Sequence, residues 1–359
     1  IYRLGESIEH TTKKYHVHPP ADPEKWAAIC LGIIRHYNEG WAGGFHHDIR
    51  YWEIWNEPEN RPAMWTGSDE DFFSLYGRTS KAIKGRFPSL KVGGPAVGNT
   101  GEVVDGALRP SPFLERFLQR CRDRDLPLDF FSWHIYSDDP HACAVLARHV
   151  RDLLDRHGFS GTESHLNEWN YLPGNDWRPM LLEGQGVARE KFYEQIGGAP
   201  GAAFAACALI FLQDSPVDVA NYYMSDTNGF GLFSAHGVPR KTFHAFKAFK
   251  ALLEAPLRVE ASGGKPGQLA VCAGLSRDGS EARVLVGNFS LPAERVLIAV
   301  KNPPWNGLVS FETFLVDAGF DLAKRSHGKV PADALRISED LPAPAVLLVK
   351  LRSESVLSY

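Results

Sequence analysis

Cysteine and methionine are scarce, with five and three residues in a chain of 359. The cysteines, Cys30, Cys121, Cys143, Cys207 and Cys272, are odd in number and form no CxxC pair. That spacing argues against a disulfide framework, a zinc ribbon or a thioredoxin-type motif, and leaves reduced, buried thiols as the expectation. No apolar run reaches the roughly 20 residues needed to span a bilayer. The stretch from Gly201 to Leu212 comes nearest and reads as a buried helix. Basic residues are not in excess: 39 Lys and Arg stand against 43 Asp and Glu, a formal charge of -4. Neither a nucleic acid nor a membrane is therefore an expected partner. Internal repeats, low-complexity segments, a phosphate-cradling loop and a Ser/His/Asp motif are also missing. His16, His18, His46 and His47 have no carboxylate or cysteine at ligand spacing, so no metal or other cofactor is expected. The chain starts at Ile1 with no visible signal peptide, and the expected compartment is the cytoplasm.

What is present is an alternation. Strand-like runs fall at Ile1 to Gly5, Ile49 to Trp55, Leu90 to Pro95, Leu128 to Tyr136, Ser164 to Glu168 and Val217 to Tyr223. Amphipathic helices separate them, opened by Asp22-Pro23, by Ser68 with Asp71, and by Ser111-Pro112 as N-caps and first-turn prolines should. Strand–helix alternation predicts an α/β fold with a parallel, TIM-type (β/α) barrel sheet. Beyond about Ala255 the texture changes to short alternating runs broken by Gly, Pro, Asp and Asn. That pattern predicts an antiparallel β-sandwich domain over 255–359, after a barrel domain over 1–254.

Two strands end alike. Tyr51-Trp52-Glu53-Ile54-Trp55 runs into Asn56-Glu57-Pro58, and His165-Leu166 runs into Asn167-Glu168-Trp169. A glutamate at the carboxyl end of a buried strand is costly unless a carboxyl group is needed there, and in such barrels that end carries the active site. Glu57 and Glu168 lie 111 residues apart, room for three strand–helix units, which sets them facing each other across a barrel mouth. Opposed carboxyls are what glycosidic bond cleavage requires.

These residues carry a resemblance. Trp52 to Pro58, LKVGGPA at Leu90, DFFSWHIY at Asp129, LNEWN at Leu166 and the stretch Val217 to Pro239 are similar to glycoside hydrolase family 39, in the clan of retaining TIM-barrel glycosidases. The resemblance covers roughly Tyr2 to Leu253. It implies Glu57 as general acid/base and Glu168 as nucleophile, acting on a carbohydrate substrate. A general acid calls for a raised pKa, which burial beside Trp55 would supply. The nucleophile needs hydrogen bonds, and Tyr136 is the expected donor to Glu168, with His134 on the same wall. Asn56 is placed to bind the sugar 2-hydroxyl. Trp65, Trp169, Tyr171 and Trp177 are candidate sugar-stacking platforms. Glu6, Glu9 and His10, after the first strand, are candidates for the pocket.

The chain departs from the pattern in one respect. A full barrel has eight strands, and the motif alignment makes Ile1 to Gly5 the third, leaving the first two strand–helix units without a counterpart. The expectation is a naturally open barrel or one sealed in a homo-oligomer. Three activities remain open at this point: a retaining exo-acting β-glycosidase on xylosides, galactosides or glucosides, a non-catalytic carbohydrate-binding protein, and an endo-acting polysaccharide hydrolase.

Overall fold

The computed structural model describes residues 1–5, 13–181, 184–292 and 295–354. Two compact units interleave along the chain: Ile1–Ile135, Leu146–Trp169 and Pro216–Asn221 form the first, and Tyr136–Val145, Asn170–Ser215 and Tyr222–Tyr359 the second.

The first unit begins with a short strand β1 (Tyr2–Leu4) and a helix α1 (Pro23–Glu39). The Asp22 side chain accepts from the amides of Glu24 and Lys25, Pro23 fills the first turn, and Gly40 ends the helix at φ 71°. That left-handed C-cap is a position glycine adopts without strain. After β2 (Tyr51–Ile54), helix α2 (Asp69–Arg86) starts in a full capping box made by Ser68 and Asp71. Strand β3 (Lys91–Val97) is followed by a hairpin, β4 (Gly101–Val104) and β5 (Ala107–Pro110), that the sequence reading does not anticipate. Helix α3 (Pro112–Asp123), strand β6 (Phe130–Ser137), helix α4 (Ala142–Arg156) and strand β7 (Glu163–Tyr171) follow.

Helices α5 (Val187–Gly197) and α6 (Ala199–Leu212) precede the sixth strand, β8 (Val219–Tyr222). The sheet runs β1-β2-β3-β6-β7-β8, and its β1–β2, β2–β3 and β3–β6 pairs are parallel. It is a parallel half-barrel of six strands among the described residues, with β2, β3, β6 and β7 buried on both faces as covered parallel strands are.

In the second unit, helix α7 (Lys241–Lys250) leads into an antiparallel region: β9 (Leu257–Val259), β10 (Leu269–Leu275), β11 (Glu281–Asn288), β12 (Arg295–Ala299), β13 (Leu308–Val316), β14 (Asp321–Pro331), β15 (Arg336–Asp340) and β16 (Ala345–Ser353). Six of these strands form one sheet in the order β14-β13-β16-β11-β10-β9, and β12 pairs separately with β15. Alternate residues divide the large sheet's two faces, as the two-residue strand period requires. Val284, Val286, Leu347 and Val349 share a core with Leu335 and Ile337. Leu285, Val346 and Leu348 meet Ala203, Cys207 and Ile210 of α6 instead. One face is thus covered by a helix that is apolar all round, the mark of a buried helix. Its small side chains allow a close approach: a Cβ at Gly287 would lie 2.7 Å from Cys207 Sγ.

All five cysteines are buried with free thiols, and burial pushes Cys30, Cys143 and Cys207 up to about 12. No single described helix is long and apolar enough to cross a membrane.

Candidate functional site

The end of β2 turns out of extended backbone at Trp55 (φ 70°) and again at Glu57 (φ 44°). Left-handed backbone costs a non-glycine residue about 1–2 kcal/mol, and such strain persists where the surroundings over-determine it. Here the surroundings are visible. The Trp55 indole donates to the Met64 carbonyl at 3.0 Å and the Glu57 amide to the Ala96 carbonyl at 3.0 Å. Across from it, a Cβ at Gly98 would sit 2.7 Å from Glu57 Oε1, so a side chain there would displace the carboxyl.

His134 Nδ1, on β6, is 2.8 Å from Glu57 Oε1 and 3.6 Å from Glu168 Oε2. Asn60 Nδ2 donates to Glu57 Oε2 at 3.1 Å. Single ligating atoms of Glu57, His134 and Glu168 all lie within 4.8 Å of one another, the one such cluster of potential metal ligands among the described residues. The His134 ring nitrogen is committed to the Glu57 carboxylate, and a guanidinium already meets Glu168. Arg3 Nη1 donates to Glu168 Oε1 at 3.1 Å, and Arg3 Nε donates to Glu53 Oε2 at 2.6 Å. Glu53 Oε1 in turn accepts from Asn167 Nδ2 at 2.6 Å. Glu57, His134, Glu168, Arg3 and Glu53 are thus joined by hydrogen bonds and ion pairs.

Electrostatics corrects one expectation. Burial does push the Glu57 carboxyl up, but the hydrogen bond and charge of His134, the Asn60 amide and Arg3 together bring it below the ordinary value. The raised carboxyl belongs to Glu59, whose burial carries it to about 7 although the Gly98 and Asn99 amides donate to its Oε1. Glu59 Oε2 is buried without a hydrogen-bond partner.

Not every residue singled out from the sequence joins this cluster. Glu57, His134 and Glu168 do, and Asn56 is buried beside Glu57 in the chain. Trp65 is wholly buried, its indole edge-on to Trp55 at 4.9 Å and donating to the Ser68 carbonyl, so it has no open face for a sugar. Trp169 is likewise fully buried. Tyr136 and Trp177 pack edge to face at 5.0 Å in the second unit, both against Phe230, and Trp177 is 42% exposed. Glu6, Glu9 and His10 lie outside the described residues. Arg3, Glu53, Glu59, Asn60 and Asn167 are absent from the sequence-based site. The signal that could have found two of them is an arginine and a glutamate placed inside apolar strands, where charge needs a partner.

The profile of the glycosyl hydrolases family 39 matches residues 6–284. A β-xylosidase of Geobacillus stearothermophilus is 29% identical over 264 residues, covering 67% of this chain and 48% of its own. A β-xylosidase of Caldicellulosiruptor saccharolyticus is 25% identical over 290 residues, covering 72% and 53%. The chain spans about half the length of these curated relatives. Among solved structures, a glucosidase from Croceicoccus marinus superposes with a TM-score of 0.80 at 24% identity, over 98% of this chain and 78% of that one. A monomeric β-xylosidase from Caulobacter crescentus CB15 gives 0.72 at 17%, over 98% and 81%. With the profile match spanning most of its length, this chain belongs to the glycosyl hydrolases of family 39.

Proposed function

We propose that the protein is a retaining, exo-acting β-glycosidase that removes terminal sugars of the β-xyloside type. The observation that carries this reading is the carboxylate pair. Oxygens of Glu57 and Glu168 approach within 4.8 Å, near the roughly 5–5.5 Å of retaining enzymes and short of the roughly 6.5–9.5 Å that leaves room for an inverting water. The two curated β-xylosidases support the sugar class, and the glucosidase likeness keeps β-glucosides in the assay.

In the first half-reaction a Glu168 oxygen bonds to the anomeric carbon as the glycosidic C–O bond breaks. Glu57 gives its proton to the departing oxygen. In the second, Glu57 takes a proton from water while the water oxygen displaces Glu168, returning both carboxyls to their starting state. His134 and Asn60 hold Glu57 by one oxygen each. Their pull toward the charged form suits the second step, where Glu57 must be a base, and the first step draws on the protonated fraction. Asn56 is assigned to the sugar 2-hydroxyl. The architecture we assign is an incomplete TIM-type barrel over 1–254 with a β-sandwich-like domain over 255–359. The outer edges of β1 and β8 are assigned to a contact with a second copy, which light scattering would read as a dimer or larger.

A panel of nitrophenyl and disaccharide β-glycosides tests the activity. Wild type should turn over β-xylosides. Glu168→Ala should lose activity on every substrate. Glu57→Ala should lose about 10²–10⁴-fold on disaccharides, the usual worth of a proton donor, and much less on activated nitrophenyl glycosides. Sugar binding without turnover by wild type would overturn the reading in favour of a non-catalytic carbohydrate-binding protein.

A further inference from the structure

We propose that Glu53 is a positioning residue for Glu168, acting through Arg3 and through Asn167; this rests on Glu168 being the nucleophile. Glu53 lies inside β2 with 1% of its surface exposed, and a carboxylate there needs strong partners to be tolerated. Both of its oxygens have one, and both partners lead to the same place. Arg3 Nε donates to Oε2 at 2.6 Å, and the same guanidinium reaches Glu168 Oε1 at 3.1 Å. Asn167 Nδ2 donates to Oε1 at 2.6 Å, and Asn167 is the residue immediately before Glu168. The β1–β2 register sets Arg3 directly against Glu53, so the contact is built into the strand pairing.

The arrangement has a chemical purpose. A guanidinium devoted to one carboxylate would orient it well but also neutralise it, which weakens a nucleophile. One guanidinium between two carboxylates leaves one net negative charge, and the shorter bond goes to Glu53. Glu168 is thereby held in place by Arg3 without surrendering its electron density to it. Asn167, pinned by Glu53, fixes the backbone from which Glu168 projects. Among the described residues, His134 and Glu57 also face Glu168, and the Arg3 charge acts on Glu57 as well, lowering its carboxyl.

Two substitutions push in opposite directions. Glu53→Gln keeps the shape and an oxygen acceptor but removes the charge, giving Arg3 wholly to Glu168. Arg3→Met, on a three-residue strand, removes the cation. The readout is the pH titration of glutamate carboxyl carbons by ¹³C NMR, with the Glu168 signal identified by its loss in Glu168→Gln. Glu53→Gln should move that titration to lower pH by about one unit and Arg3→Met to higher pH by about one unit, the scale of a neighbouring charge. In Glu53→Gln, kcat/KM on disaccharides should fall about tenfold or more, equivalent to one such unit, with KM little changed. Shifts of the same sign in both variants, or no shift in either, would overturn the proposal. If Glu53→Gln does not fold, an unmoved titration in Arg3→Met overturns it and an upward one upholds it. The titration needs no turnover, so it separates failure of this inference from failure of the glycosidase reading.

Discussion

The interiors of the two sheets differ in kind. The half-barrel buries Glu53, His134, Asn167 and Glu168, together with the partly exposed Arg3, in one connected set of contacts. The large antiparallel sheet buries Val284, Val286, Leu347, Val349 and their neighbours in mainly apolar clusters, with Arg283, Asn288 and Thr313 as its buried polar side chains among the described residues. Aliphatic burial stabilises by removing apolar surface from water, with no demand on geometry beyond packing. Buried charge gains little net stability against an apolar replacement, so its retention points to use rather than to strength. The part of the chain to which we assign the chemistry thus differs from the part whose interior is mainly apolar.

That separation can be broken from either side. Leu347 lies on the central strand β16, fully buried between β11 and β13. Leu347→Ala should cost about 2–5 kcal/mol of unfolding free energy by losing transfer energy and leaving a cavity, measured by denaturant titration. Activity per folded molecule should stay at the wild-type level. A large loss of kcat in the folded variant would show that the apolar sheet shapes the site after all.

A smaller effect is expected at Glu59. Its folded carboxyl sits at about 7, above its ordinary value of 4.5. The native state therefore binds the proton more tightly than the unfolded chain, and stability falls as pH rises from about 4.5 to 7. Above that window the cost reaches at most about 3 kcal/mol. Glu59→Gln, neutral and of the same shape, should raise the melting temperature at pH 8 and leave it nearly unchanged at pH 4.5. Parallel melting curves for the two proteins across this range would show that Glu59 is an ordinary solvated carboxylate.

Much of the half-barrel can be read in the sequence, because its signals are local. The Asp22 cap with Pro23, the Ser68–Asp71 capping box and the Ser111-Pro112 start all fall where the helices begin. The six strands of the parallel sheet lie within a few residues of the apolar runs that announce them. The paired Asn-Glu strand ends led to Glu57 and Glu168, and their mutual approach is a feature of the fold. What escaped is non-local. Arg3 and Glu53 become partners through a strand register that no spacing encodes, 50 residues apart. The left-handed turns at Trp55 and Glu57 break the expectation that non-glycine residues avoid positive φ. Burial alone predicted a raised Glu57, and the opposing contribution of His134 comes from a side chain 77 residues away. Strand β14 offers little hydrophobic alternation to read, because it is mostly polar and exposed.

The central claim is that Glu57 and Glu168 stand close enough for a double displacement. Proton NMR of the first sugar released from a β-xyloside, recorded before mutarotation, tests it most directly. The account predicts the β-anomer, through retention at the anomeric carbon. Release of the α-anomer would mean a single inverting displacement by water and would contradict it.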